Sequence, residues 1–515
     1  EWGDEVLQRI EGIFSFALVD ERRGRALLAR DRLGVKPLYW TQVDGALVAG
    51  SAPRAILELR PELRPGLDPV ALAQFLTLLW VPHPRTPWAA IRKLAPGGAL
   101  SVEQGRVREW RYWRLPKSGA GTLDPEELRR AVDRATAGQL LSDVPVGLLL
   151  SGGLDSSLLL ALMARHYTGP KLHALTAGYD SASQRLEINP DDAAFAHIVA
   201  DQHPTVALSD VEIDGAPADP AELSFHFDDP VADPAAITLH RLVQASRTKV
   251  LLSGVGGEEL FAGYPRHTSL STARRAAALP DAARRALGHC APVLRGARPG
   301  PGHGLRRNAQ KLARAVGDLR RPHYWRMMAQ LTEGELRGLV GDSADAGFDE
   351  LDAQSPELSS TTLGDALHFD RSQFLPNLNL GYVDKAAMAA GVEVRVPLLD
   401  EAVVTPACRA DPATFVSNGT SKAPLREAAL GLVPQAVLTR PKSGFGGPAR
   451  AWFRGRQSAA LRERIEALAD TGLVERVPAR RVFDDAASGR HDAALAGWAL
   501  ACLHAWHHEH AKARP

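Results

Sequence analysis

The 515-residue sequence holds only three cysteines, Cys290, Cys408 and Cys502, widely spaced and in no CxxC or zinc-ligand pattern. That scarcity argues against a disulfide framework and fits a reducing compartment, so a cytoplasmic location is expected. No apolar run reaches the ~20 residues that a membrane-spanning helix needs, and no secretory leader is legible. Neither sign of charge dominates: 61 Lys and Arg against 60 Asp and Glu leave a formal net charge of +1. Nucleic acid and membrane are therefore not expected as partners. GxSxG, HExxH and GxGxxG patterns are also missing. With 45% apolar and 23% charged residues, the composition is that of an ordinary globular protein with room for two or three domains. Residue 1 is Glu rather than Met, and the natural start is expected to lie elsewhere.

What is present concentrates in residues 144–160, VPVGLLLSGGLDSSLLL. A buried apolar run, Val146 to Leu150, stops at Ser151-Gly152-Gly153-Leu154-Asp155-Ser156-Ser157 and a second apolar run follows. The pattern reads as strand, tight phosphate loop and helix. Adjacent glycines let backbone N–H groups approach an anion, and a helix N-terminus adds unpaired donors and a favourable dipole. Ser151, Ser156 and Ser157 offer hydroxyls, and Asp155 an oxygen suited to Mg2+. The loop has no lysine, so it is not GxxxxGK[ST]; it resembles the SGGxDS pyrophosphate signature of adenylating enzymes.

Up to about residue 115 short apolar runs and turns predict antiparallel β structure with few helices, beginning with a hairpin over 11–30. Leu115–Thr122 reads as a linker, dividing the chain into 1–115 and 116–515. Beyond it the spacing predicts helix 124–141, strand 146–150, helix 156–166, strand 171–178, helix 191–202, strand 205–213, helix 234–247 and strand 249–252. This alternation implies an α/β fold with a doubly wound parallel sheet, followed by a mostly helical C-terminal part. In such a sheet ligands lie off the carboxyl ends of the strands, at a topological switch point.

A second strand, Lys249–Leu252, runs into Ser253-Gly254-Val255-Gly256-Gly257-Glu258-Glu259. Glycines permit close backbone approach to a ligand, and the paired acids are candidates for Mg2+, with a solvated turn as the plainer alternative. Further on, Arg440-Pro441-Lys442-Ser443-Gly444-Phe445-Gly446 places Lys442 in a glycine-flanked loop, where a point charge would suit a phosphate or a developing transition state.

Taken together, these motifs resemble the glutamine-dependent asparagine synthetases. GIFSFALVD (12–20), ARDRLGVKPLYW (29–40) and PGGALSV with RYW (96–113) are similar to the second half of that family's β-rich, Ntn-hydrolase-like glutaminase domain. VPVGLLLSGGLDSS (144–157), DDPVADPAAI (228–237), LSGVGGEELFAGYPRH (252–267), VDKAAMAAGVEVRVPLLD (383–400) and RPKSGFGGP (440–448) are similar to the synthetase domain, in the family's order. The resemblance implies ATP and Mg2+ as cofactors and aspartate, ammonia and glutamine as small-molecule substrates; a homodimer is compatible with it. It implies further that Leu150, Ala177, Ser253 and Gly254 hold ATP, that Ser151, Gly152, Gly153, Asp155 and Ser156 hold pyrophosphate, and that Asp155 and Glu258 hold the metal. Lys442 would stabilise charge at the α-phosphate, and Asp384, Glu393 and Arg395 would line the aspartate side. A buried structural Arg–Glu pair is the alternative for Arg395.

The chain departs from the family at four points. The family's glutaminase uses an N-terminal cysteine as nucleophile, and the earliest cysteine here is Cys290, so the chain as given is expected not to hydrolyse glutamine by that route. Val255 stands where the family usually has Asp or Glu, Glu258 replaces the usual Asp, and Ala52 replaces a frequent Glu. These substitutions keep open a paralogue that amidates another carboxylate, on a sugar, peptide or antibiotic precursor. An inactive scaffold and a tRNA-modifying adenylating enzyme are weaker alternatives.

Overall fold

Apolar runs on either side of the Asp20–Gly24 turn form the expected hairpin, in which β1 (Ser15–Asp20) pairs antiparallel with β2 (Arg25–Arg30). The structure is a computed structural model that describes residues 2–169, 171–179, 192–213, 218–290, 303–317, 320–417, 419–440, 446–489 and 493–511. Three strands, β3 (Tyr39–Val43), β4 (Ala46–Gly50) and β5 (Arg92–Lys93), make one antiparallel sheet in the order β4-β3-β5. β6 (Gly98–Glu103) and β7 (Arg106–Arg111) extend the first hairpin to β1-β2-β6-β7. The first half of the chain also holds more helix than the sequence predicts. The helix Pro69–Leu78 starts at an Asp68 cap with Pro69 in its first turn, and every residue from Ala71 to Leu78 is buried.

Strand and helix alternate from residue 125 onward, close to the expected boundaries. The helix Pro125–Gln139 leads to β8 (Val146–Leu149), the helix Leu154–His166, β9 (Leu172–Gly178), the helix Asp192–Ala200 and β10 (Val206–Glu212). The helix Ala235–Gln244 then precedes β11 (Val250–Leu252). All pairings in this sheet are parallel, and its order is β10-β9-β8-β11-β12, with β12 (Glu393–Arg395) at one edge. The chain winds outward from β8 to β10 and then returns to place β11 on the other side of β8. The topological switch point therefore lies between β8 and β11, where ligands bind in sheets of this kind.

β12 is a finding that the sequence reading does not contain. Three residues of strand, laid against β11 after some 140 intervening residues, carry too short a pattern to stand out.

The two halves of the chain share a core. The largest cluster of buried apolar side chains includes Tyr39, Phe75, Trp80 and Trp88 from the first half and Leu251, Trp325, Trp452 and Trp506 from the second. Trp88 and Trp506 meet at a ring-centroid distance of 5.1 Å, and Trp452 and Trp498 at 4.5 Å.

Candidate active site

The turn after β8 is shaped by its glycines. Gly152 has φ +64°, and a Cβ there would come within 2.5 Å of the Ala196 backbone nitrogen, so only glycine fits. Hydroxyls brace the turn: Ser151 N donates to Ser156 Oγ at 3.2 Å, Gly153 N donates to Ser151 Oγ at 3.4 Å, and Ser156 Oγ donates to Gly153 O at 3.3 Å. Leu150 is buried at the strand end, its N–H bonded to Leu175 O at 2.8 Å. Gly153 caps the helix Leu154–His166, and Asp155 stands in its first turn.

The turn after β11 packs directly on this loop. A Cβ on Gly254 would lie 2.8 Å from Asp155 Cβ, and one on Gly257 would lie 2.4 Å from Asp155 Oδ1. Ser253 is buried and its N–H bonds to Arg395 O at 2.9 Å, tying the turn to β12. Ala177, also buried, is the penultimate residue of β9, on the far side of β8 from β11. The predicted nucleotide residues on β8, β9 and β11 are thus brought to one end of the sheet.

At the meeting point stands a residue the sequence reading missed. Lys422 is buried, and its Nζ donates to Asp155 Oδ2 at 2.5 Å and to Glu258 Oε1 at 2.6 Å. Burial opposes its charge, but the two carboxylates outweigh that and raise its pKa above the ordinary lysine value. Its backbone sits in the left-handed region at φ +59°, and its N–H bonds to Phe261 O at 3.1 Å. Nearby glycine gives it space: a Cβ on Gly263 would lie 2.0 Å from Glu258 Oε2 and 2.3 Å from Lys422 Cε. Its one local signal is a lysine just ahead of Ala423-Pro424, where a helix begins.

Glu259, the other acid of the pair, faces elsewhere. It is fully buried and accepts from Tyr264 Oη at 2.7 Å and Asn379 Nδ2 at 2.6 Å. Burial, with the charges of Glu258 and Asp370 behind it, pushes its carboxyl up to about 7 against the Tyr264 hydrogen bond. The Arg371 guanidinium clamps the same turn through Glu259 O at 3.0 Å and Leu260 O at 2.7 Å.

Lys442 lies outside the described residues, but the positions flanking its loop are anchored beside the site. Arg440 is buried, donates to Ser151 O at 3.4 Å, pairs with Asp192 and covers the Phe195 ring at 4.2 Å. On the other side, Gly446 O accepts from Tyr179 Oη, just past β9, at 2.7 Å.

The three residues expected on the aspartate side have other partners. Asp384 Oδ1 accepts from Lys36 Nζ, in the first half of the chain, at 2.8 Å. Arg395 donates to Glu393 Oε1 at 2.7 Å and to the carbonyls of Gln139 and Leu141 at 2.7 and 2.8 Å, bracing the end of the helix Pro125–Gln139. Val255 is partly buried and packs between the two largest core clusters.

Comparison with known proteins identifies the family. The family model described as asparagine synthase matches residues 127–508, and the one described as a glutamine amidotransferase domain matches residues 1–113. A Mycobacterium tuberculosis protein, named provisionally as a glutamine-hydrolysing asparagine synthetase, is 29% identical over 98% of this chain and 78% of its own length. Asparagine synthetase (glutamine-hydrolysing) 1 of Bacillus subtilis is 26% identical over the same shares, 98% and 78%. The asparagine synthetase (glutamine-hydrolysing) of Asparagus officinalis is 29% identical over 51% of this chain and 42% of its own. With a family model matching well over half its residues and the corresponding loops converging at the switch point, this chain belongs to the asparagine synthase family.

Proposed function

We propose that the protein catalyses ATP-dependent amidation of aspartate to asparagine through a β-aspartyl-AMP intermediate, with ammonia released from glutamine in the full-length protein. One observation carries the reading: the two glycine-rich strand ends meet at the switch point, and their carboxylates, Asp155 and Glu258, bind one cationic group. Two hard oxygens already sharing a cation are a donor set that fits Mg2+. Asp155 and Glu258 would hold that ion, which when bound would offset charge on the phosphates.

The chain's own residues do the rest of the proposed work. The Ser151–Ser156 loop takes the pyrophosphate on backbone N–H groups and the helix N-terminus. Leu150, Ala177, Ser253 and Gly254 hold the nucleotide against the strand ends. An oxygen of the aspartate side-chain carboxylate attacks the α-phosphorus and pyrophosphate leaves. Ammonia then adds to the acyl carbon, gives up a proton, and AMP departs. Lys442 is assigned to the charge that develops on the α-phosphate. Asp384, Glu393 and Arg395 remain the proposed acceptor side, the two acids acting through Lys36 and Arg395, their present partners.

With ATP, Mg2+, aspartate and an ammonium salt, the protein is expected to release pyrophosphate and AMP in step with asparagine. Stoichiometric ADP and orthophosphate would refute the adenylation route. A second reading rests on Val255, an apolar residue at a position where an acid is usual in the family. It makes the protein a paralogue that amidates a different carboxylate. Val255→Glu separates the two: if aspartate is the acceptor, the aspartate-dependent rate should rise, by up to about tenfold. An unchanged or lower rate favours the paralogue.

A further inference from the structure

Two carboxylates from adjacent strand ends, both largely shielded from water at 15% and 18% side-chain exposure, repel each other unless a positive charge lies between them. Here that charge belongs to the protein. Lys422 Nζ is within 2.5 Å of Asp155 Oδ2 and 2.6 Å of Glu258 Oε1, with its side chain 5% exposed. An ammonium is a compact point charge rather than a planar fork, so of the basic side chains it comes closest to the shape and position of a small metal ion. Glu258 is one methylene longer than aspartate, and its carboxylate is the one that shares this ammonium with Asp155. The lysine is also held in place: its N–H bonds to Phe261 O at 3.1 Å, and side-chain atoms of both Lys422 and Glu258 fill the space a Cβ on Gly263 would need.

We propose that Lys422 is the resting counter-ion of the cation site, holding Asp155 and Glu258 together in the nucleotide-free enzyme and yielding them when the metal nucleotide enters. The inference rests on the function proposed above and extends it to the order of loading. Bare divalent cations face competition from a covalently attached charge. An ion arriving with ATP is favoured, because the phosphates give the displaced ammonium new anionic neighbours. The site then loads with the complete metal nucleotide rather than with free metal.

Mn2+ alone is the probe, followed by electron paramagnetic resonance of the free ion in the absence of nucleotide. Lys422→Met is expected to bind Mn2+ at least tenfold more tightly than the wild type, and adding Asp155→Asn should abolish the gain. Lys422→Arg, which keeps the charge, should bind as weakly as the wild type. Equal or weaker Mn2+ binding by folded Lys422→Met would overturn the proposal. Wild-type crystals soaked in Mn2+, with and without α,β-methylene-ATP, provide a test that does not depend on the variant folding. Anomalous density between Asp155 and Glu258 is expected only with the nucleotide; density there without it, beside an unmoved Lys422, overturns the proposal. Pyrophosphate release is a separate readout. If it persists while Lys422→Met gains no metal affinity, this inference fails alone; if it is absent while the gain is seen, the proposed function fails alone.

Discussion

Single side chains in this protein are defined by their partners more than by their type. Arg395 reads in sequence as a substrate clamp or as half of a structural pair; in the fold it braces the carbonyls of Gln139 and Leu141 and binds Glu393. His83 shows the same dependence. It is buried, its Nδ1 lies 3.2 Å from Asn377 Nδ2, and burial, with nearby Arg30, Arg111 and Lys93, drives its pKa from 6.5 to about 3. The unfolded chain therefore takes up this proton first as the pH falls, so stability contributed by neutral His83 is present above pH 6.5 and lost progressively towards pH 3. Melting temperatures measured from pH 7 to pH 4 should fall less steeply for His83→Gln than for the wild type. Parallel curves would remove His83 from the acid response.

At the level of elements, the strand-end turns need glycine for two different reasons. Gly152 and Gly256 adopt positive φ, +64° and +100°, whereas Gly254 and Gly257 leave room for Asp155. Gly257→Ala tests the second role. The added methyl would overlap Asp155 Oδ1 and turn the carboxylate away from Lys422, with an overpacking cost of about 1–3 kcal/mol. Pyrophosphate release is expected to drop by more than about tenfold while the melting temperature changes by only a few degrees. A fully active Gly257→Ala enzyme would show that the position of Asp155 does not matter to turnover.

Across the whole molecule, buried charges join the two halves. Lys93 on β5 binds Asp229 Oδ2 at 2.8 Å, beside Tyr39 Oη at 2.9 Å from the same oxygen. Asp228 accepts from Arg54 N at 2.9 Å and Lys385 Nζ at 2.6 Å, and Asp384 binds Lys36. The segment Asp228–Ile237 singled out in the sequence thus begins with two acids that face the first half of the chain. Lys93→Met would leave Asp229 buried beside a hydroxyl in place of a cation, a loss of about 3–5 kcal/mol. Calorimetry should show one transition for both halves, shifted to lower temperature. Two transitions, with only the first displaced, would mean that the halves melt independently despite their shared core.

The sequence by itself determined the alternation of strands and helices after residue 125, the hairpin at the start and the glycine-rich turns at the ends of β8 and β11. These signals are local: apolar periodicity, caps and glycine punctuation act within a few residues. Tertiary structure alone decided that β12 joins the sheet, that Asp384 faces Lys36, and that a lysine 267 residues from Asp155 and 164 from Glu258 stands between them. A charged side chain carries no local mark of its partner. Its neighbours are set when distant elements pack, and only then does a buried ammonium find the carboxylates that keep it charged.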